Sequence, residues 1–550
     1  MTTRRRFLQT LAAMAPTLSL RRSWAAGADP SRLALVIGNS DYRGAPLVNP
    51  VNDARAMAGL FEQAGFTVDS HLDAKRSDMM AAIERFGAAI RRPETRQVVF
   101  YYAGHAAQLD WRNYLLPVDA EVNTADQIKQ RCVDLGLLLG QLGAARDRTF
   151  VIILDACRNN PFGGNYRPEQ KGLSQFDAPV GSLLAYATAP GNVASDGSGK
   201  NGLYTENLVR ELSLRGARIE DALKRVRLNV RLASRGAQIP WETTSLESDV
   251  FLFNDGQKKL SDAELEKQVE ADLAEWIRIK SSRKVEDWAG YLRSFPNGRF
   301  AEIAQVRLAR LLAETEKPAT VSVASLAPSP AMAPTPVVAP AAVAPAIELK
   351  PGGMVPQLLK PSVNPYSAGV YPLSRKYTVG DRATFRETDL LTGVEKRVYT
   401  QRVTRVDLDA DRVEISGGKA IWDLMGNVIK SGDKEFDAPQ QFTPAEFQVG
   451  KKWTAAFIST RDGLASNVYF DLQIVRREKV NVPAGVFDAF RIEGQGWNTT
   501  RGARFEVILW LVPGLNFQVK REMIKHNPRG RLKDTERHEL ISLRQQAIGT

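Results

Sequence analysis

Gln97-Val-Val-Phe-Tyr-Tyr-Ala-Gly-His105 decides the fold. From Val98 to Ala103 no polar residue alternates with the apolar ones, the pattern of a strand covered on both faces inside a parallel sheet. Thr149-Phe-Val-Ile-Ile-Leu-Asp-Ala-Cys157 repeats it. One run ends in an imidazole and the other in a thiol. Ligands of open α/β sheets bind outside the carboxyl ends of the strands. Both residues are therefore expected at one edge, where a thiol and an imidazole make a nucleophile and its base.

Outward from these runs, residues from about 30 to 255 alternate strand and helix. Further strands are predicted at Leu33–Gly38, Phe66–Leu72, Ser182–Thr188 and Asp249–Phe253. Helices are predicted at Asp53–Ala64, Ser77–Ile90, Asp134–Leu142, Leu203–Arg215 and Ile219–Ala233. Such alternation predicts an α/β domain, a mainly parallel sheet between helices.

A thiol is a weak nucleophile until deprotonated, and a nearby imidazole can take its proton and return it to a leaving amine. The residues resemble the caspase-like clan of cysteine peptidases, its prokaryotic metacaspase and paracaspase branch more than true caspases. The resemblance covers Arg32 to about Asn254. It rests on Leu35-Val36-Ile37-Gly38-Asn39-Ser40-Asp41-Tyr42, Tyr101-Tyr102-Ala103-Gly104-His105, Leu116-Pro117-Val118-Asp119 and Asp155-Ala156-Cys157-Arg158-Asn159. It implies a caspase-haemoglobinase-like fold with His105 and Cys157 as the dyad. Their separation of 52 residues fits the spacing of about 50 described for caspases.

The resemblance also implies an oxyanion hole of backbone N–H groups at Ala106 and Cys157. Many members carry glycine where this chain has Ala106, and alanine still supplies the N–H if the backbone tolerates a side chain. Asp155 stands where true caspases place the glutamine of an aspartate-specific pocket, so it looks like the branch that cleaves after arginine or lysine. Asp53 matches a second acidic pocket residue of that branch. Two carboxylates around one slot favour a guanidinium, although Asp53 also reads as an acid stabilised by a helix N-terminus. In similar families the loop corresponding to Gly163–Val180 is often cut. Self-cleavage is expected there after Lys171 or, less readily because of Pro168, after Arg167; a neutral surface loop is the other reading.

The remaining chain is modular. Thr3-Arg4-Arg5-Arg6-Phe7-Leu8-Gln9, an apolar stretch and Ala26-Gly27-Ala28 read as a twin-arginine signal over 1–28, which implies a periplasmic or secreted protein. The net charge of +12 includes five arginines before Asp29, leaving about +7 without them. With no Lys/Arg-rich block, no nucleic acid partner is expected, and no later segment reads as transmembrane. Two cysteines in 550 residues do not make a disulfide framework; Cys132 reads as a buried small residue rather than a partner of Cys157. The peptidase domain is assigned to 29–257 and a helical module to 258–316, where Trp276, Ile277, Trp288, Tyr291, Leu292, Phe295, Phe300, Ile303, Val306 and Leu308 recur at helical spacing as a core. Pro/Ala-rich residues 317–366 read as a semi-rigid linker. Short alternating runs then make 367–550 an all-β domain.

The sequence thus predicts a cysteine endopeptidase acting on protein or peptide substrates after Arg or Lys. Two rival readings stand beside it. One is a catalytically silent caspase-like scaffold; the other is an envelope-binding protein whose function lies in the β domain, with a lipid, glycan or protein ligand. No cofactor or metal is expected. Calcium stimulates some metacaspases, but no EF-hand-like loop is present, and the histidines and cysteines do not cluster as zinc ligands. Ser195-Asp196-Gly197-Ser198-Gly199-Lys200-Asn201-Gly202 lacks the spacing of a phosphate loop and reads as a loop beside the cleft.

Overall fold

The computed structural model describes residues 29–143, 147–157, 173–189, 199–253, 262–315 and 346–546. Residues 1–28, Arg167, Lys171, residues 195–198 of the Ser195–Gly202 loop and residues 317–345 of the linker lie outside the described residues. Of Cys157 the backbone is described, as the last residue of a strand.

The peptidase domain runs β1 (Asp29–Gly38), α1 (Pro50–Gln63), β2 (Phe66–Leu72), α2 (Arg76–Ile90), β3 (Gln97–Leu109) and β4 (Arg112–Leu115). It continues through α3 (Ala125–Arg131), β5 (Val133–Asp134), α4 (Leu135–Gly143), β6 (Thr149–Cys157), β7 (Ser182–Tyr186), α5 (Leu203–Leu212), α6 (Ile219–Ala233) and β8 (Trp241–Thr244). Among the described residues the main path of its sheet is β2-β1-β3-β6-β7-β8, parallel except for β8. The unbroken apolar runs follow from burial on both faces. Val99, Tyr101, Val151 and Ile153 meet α1, α5 and α6, while Val98, Phe100, Ile152 and Leu154 meet α2 and α4. Burying each such side chain stabilises the fold by about 1.5–3 kcal/mol.

Two local expectations are corrected. Asp249–Phe253 forms only an isolated bridge from Phe251 to Arg218, and the antiparallel edge strand is instead β8. Val250, Leu252 and Phe253 are apolar because they fill the α1/α5/α6 layer, so a buried loop mimics a strand. β3 also runs past Ala103 to Leu109 and forms a hairpin with β4.

Three helices, α7 (Asp262–Ile279), α8 (Val285–Ser294) and α9 (Ala301–Thr315), follow. Trp276 stacks on Phe300 at 4.4 Å, and Trp288, Tyr291 and Ile303 are buried beside them. Ile277 departs from the expected core set: it is 55% exposed, because it is next to Trp276 and points off the packed face.

Ile347–Leu349, assigned to the linker, is a strand; it pairs with Leu532–Gln545. Among the described residues it is one of thirteen strands in a sheet that closes on itself, because Arg382–Thr388 pairs with both Glu395–Asp407 and Leu532–Gln545. The closed part packs Phe385, Phe470, Leu472, Leu509 and Leu540 in one core, which the helical module shares. Arg299 donates to the Ala456 carbonyl at 3.0 Å and pairs with Asp437 at 3.1 Å, and Lys451 pairs with Glu302 at 2.8 Å. Residues 364–368 reach back to the peptidase domain, where Asp177 accepts from Ser367 Oγ at 2.9 Å and from Ala368 N at 3.0 Å. Burial there pushes the Asp177 carboxyl up.

Candidate active site

Parallel pairing of β3 with β6 aligns Gln97 with Thr149 and keeps register to the end of β6, where His105 is the Cα partner of Cys157. The equal offset from each strand start makes the two residues neighbours at the carboxyl edge.

The loop after β1 holds the imidazole. His105 is buried, its ring 4.5 Å from that of Tyr42, and its Nε2 lies 2.8 Å from the Ala45 carbonyl oxygen. A ring nitrogen facing a carbonyl must donate, which assigns the proton to Nε2 and leaves Nδ1 the basic nitrogen of the neutral ring. The backbone is held as firmly. His105 N donates to Tyr42 Oη at 2.9 Å, and the His105 carbonyl accepts from Tyr102 Oη at 2.5 Å and from Leu116 N at 3.0 Å. Asn39, wholly buried, donates to the Leu116 carbonyl at 3.0 Å and accepts from Ala74 N at 2.9 Å, fixing the loop to the sheet.

Gly104 makes this packing attainable. Its φ is +151°, and a Cβ there would lie 2.5 Å from Tyr42 Oη and 2.9 Å from Tyr102 Oη. Ala106, by contrast, keeps a negative φ and packs its methyl group in the core on the α2/α4 side, so the backbone here accepts a side chain.

Asp53 and Asp155 both bond the start of α5. Asp155 Oδ2 accepts from Thr205 Oγ1 at 2.6 Å and from Tyr101 Oη at 3.4 Å; Asp53 Oδ1 accepts from Asn201 Nδ2 at 2.8 Å and Gly202 N at 2.9 Å. Burial, then Asp155 and Asp53, push the Tyr101 phenol well above its usual value. Asp53 lies in the first turn of α1 and bonds the residue that caps α5, so it joins two helix starts. Asp53 is only 3% exposed. Ala45 and Thr205 are absent from the sequence reading, which names Asn201 and Gly202 only as part of a loop beside the cleft. The polar end of that loop is the sequence signal for Asn201 and Gly202; a backbone carbonyl such as that of Ala45 leaves none.

Cys132 is a free thiol packed among Tyr42, Tyr114, Leu116 and Ile128, and burial pushes it up to about 12. Among the described residues no three His, Cys, Asp or Glu side chains group as a metal site, and no helix is long and apolar enough to cross a membrane. A cavity of about 1060 Å³ lies away from His105 and Cys157. It separates peptidase, helical and β parts, and its charges are matched across it, Arg227 with Glu242 and Glu446 and Lys451 with Glu302. The geometry at His105 rather than the size of that space marks the site.

Residues 31–251 match the family model of the caspase domain. The chain is 27% identical over 161 residues to the human (Homo sapiens) mucosa-associated lymphoid tissue lymphoma translocation protein 1, covering 29% of this chain and 19% of that one. It is 26% identical over 253 residues to caspase-1 of Sus scrofa, 40% of this chain and 59% of that one. The matches therefore span less than two thirds of either relative.

Proposed function

From the caspase-like peptidase domain carried by residues 31–251, we infer that this chain is a cysteine endopeptidase using Cys157 and His105 and cleaving after arginine or lysine. The observation that supports the reading most is the shared register of His105 and Cys157 at the carboxyl edge of β3 and β6.

In this mechanism His105 Nδ1 takes the thiol proton as Cys157 sulfur attacks the scissile carbonyl. The oxyanion forms against backbone N–H groups at Ala106 and Cys157. The C–N bond then breaks, the amine leaves with the proton held by His105, and a thioester remains. Water, deprotonated by the same nitrogen, attacks the thioester; the C–S bond breaks and the thiol regains its proton. The Ala45 carbonyl keeps the second ring proton on Nε2 and stabilises the imidazolium between the steps.

The side chains of Asp155 and Asp53 belong to the basic-residue pocket in this proposal. Their bonds to the start of one helix, α5, support it, since two carboxylates in a largely buried polar cluster favour a guanidinium or ammonium group. Export of the protein by the twin-arginine route to the periplasm or medium is part of the same proposal, supported by Arg4-Arg5-Arg6-Phe7-Leu8.

Hydrolysis of fluorogenic peptides ending in Arg, Lys or Asp by the chain and its Cys157→Ala variant tests the reading. Turnover after Arg or Lys that the variant lacks sustains it. Turnover after Asp keeps the dyad and removes the acidic pocket. With reductant and calcium present, no turnover after any residue leaves the scaffold reading.

A further inference from the structure

Consecutive antiparallel strands turn alternately at the two ends of the β domain. Residues 437–451 form a connection at the end facing the peptidase domain. There Gln448 Nε2 donates to the Glu242 carbonyl at 3.3 Å, and Gly450 lies against the Thr244 carbonyl. At the opposite end lie the turns 389–394, 462–463, 499–502 and 527–531.

Two of these far turns touch, Gly502 beside Pro528, with Arg504 paired to His526 across their strands. Arg501, Arg504, Arg529, Arg531 and Lys533 are exposed on them, and residues 499–504 and 526–533 contain neither Asp nor Glu. Among the described residues no carboxylate pairs with any of the five. Neighbouring cations are matched: Arg397 with Glu387 at 2.7 Å, Arg537 with Glu522 at 2.8 Å and Lys525 with Asp534 at 3.1 Å.

Apolar tips accompany the charge. Leu391 is 67% exposed, Val394 63%, Leu464 63% and Leu532 47%. Turn 389–394 is fastened to the same corner, because Thr535 Oγ1 donates to Asp389 at 2.9 Å and Lys396 reaches Asp534 at 3.1 Å. Turn 462–463 lies beside turn 499–502, where Asn467 N donates to Thr500 Oγ1 at 2.9 Å.

We propose that this end of the β domain docks on the surface of an anionic phospholipid bilayer. Unmatched cations ringed by aliphatic side chains suit phosphate headgroups above acyl chains. Single-stranded nucleic acid is bound by stacking on aromatic side chains, and the exposed large hydrophobic side chains of these turns are all aliphatic. Contact is through the turns rather than the wall, since the apolar residues of the strands face inward, the reverse of a barrel embedded in lipid. The peptidase domain, on the opposite end, then stands off the membrane. The proposal does not depend on peptidase activity.

Sedimentation of the full chain with vesicles tests it, using phosphatidylcholine alone and phosphatidylcholine mixed with phosphatidylglycerol. Binding is expected only to the mixed vesicles and should weaken as salt rises. R501S/R529S/R531S/K533S should lower that binding by about tenfold or more, and L391S/V394S/L532S should lower it by a smaller factor. All three proteins should share one unfolding midpoint, and peptide hydrolysis without vesicles should be unchanged. Equal binding to both vesicle types overturns the proposal, as does binding of heparin or DNA without binding of vesicles. Undiminished binding by the folded arginine–lysine variant also overturns it.

Discussion

His105 presents Nε2 to the carbonyl oxygen of Ala45 at 2.8 Å while its ring lies 4.5 Å from that of Tyr42. One loop, between β1 and α1, therefore sets both the tautomer and the tilt of the imidazole. Tyr42 Oη also receives His105 N and approaches Tyr102 Oη at 3.2 Å. Tyr42→Phe should destabilise the chain by about 1–3 kcal/mol, the cost of leaving buried polar groups unmatched. It should also lower kcat more than it raises KM. Urea unfolding and steady-state hydrolysis read the two effects; an unchanged kcat in a destabilised variant would remove Tyr42 from the positioning of His105.

Gly104 should not accept a methyl group. A Cβ there meets the Tyr42 and Tyr102 hydroxyls at 2.5 and 2.9 Å on a backbone with φ +151°. Gly104→Ala should cost about 1–3 kcal/mol from overpacking and strain and should lower activity together with stability. A thermal melt matching the parent protein would show that the two tyrosines move aside.

The acidic pair sets a specificity test. Asp155→Asn keeps an acceptor for Thr205 but removes the charge. Cleavage after Arg should fall by about 2 kcal/mol or more in kcat/KM, roughly thirtyfold. Cleavage of a peptide ending in a neutral residue should change little. Equal losses on both peptides would assign Asp155 to structure alone.

Self-processing is expected after Lys171, with Arg167 as the lesser site. Intact-mass measurement should find the Cys157→Ala and Arg167→Ala/Lys171→Ala chains uncut and the parent chain cut. A parent chain that stays whole while hydrolysing peptides would rule out cleavage as a requirement for activity.

Asp423 carries a pH dependence. Burial, and next the neighbouring Asp411, lift its carboxyl from 3.8 to about 7. Between those two values the folded chain holds a proton that the unfolded chain has released. This contribution to stability is therefore lost as pH rises from about 4 to about 7 and is level above that. Urea midpoints across this window should show the fall, and Asp423→Asn should flatten it. The comparison is of slopes, since Asp423 Oδ2 accepts from Asn427 Nδ2 at 3.0 Å and an amide can lose that bond.

Much of the peptidase domain was legible because burial on both faces leaves a local record. The apolar runs of β1, β3 and β6 and the helical spacing of α2 and α6 follow directly from which side chains meet water. The same logic misassigned Asp249–Phe253, whose apolar residues are buried without strand pairing, and missed β8, whose Trp-Glu-Thr-Thr alternation is that of a sheet edge. It also kept Ile347–Leu349 inside the linker, since three residues carry too little pattern to reveal a distant partner strand.

The sequence by itself determined an α/β domain with a thiol and an imidazole on two interior strands, a helical module and an all-β domain. Periodicity of burial is a property of neighbouring residues, so it can be read along the chain. Only the tertiary structure decided the register that makes His105 the partner of Cys157, the Ala45 carbonyl at Nε2 and the bonds of Asp53 to Asn201 and Gly202. It also decided the closure of the β sheet through Arg382–Thr388 and Leu532–Gln545. Each of these is a contact between distant segments, often through backbone atoms that every residue shares, and such atoms leave no mark on residue type.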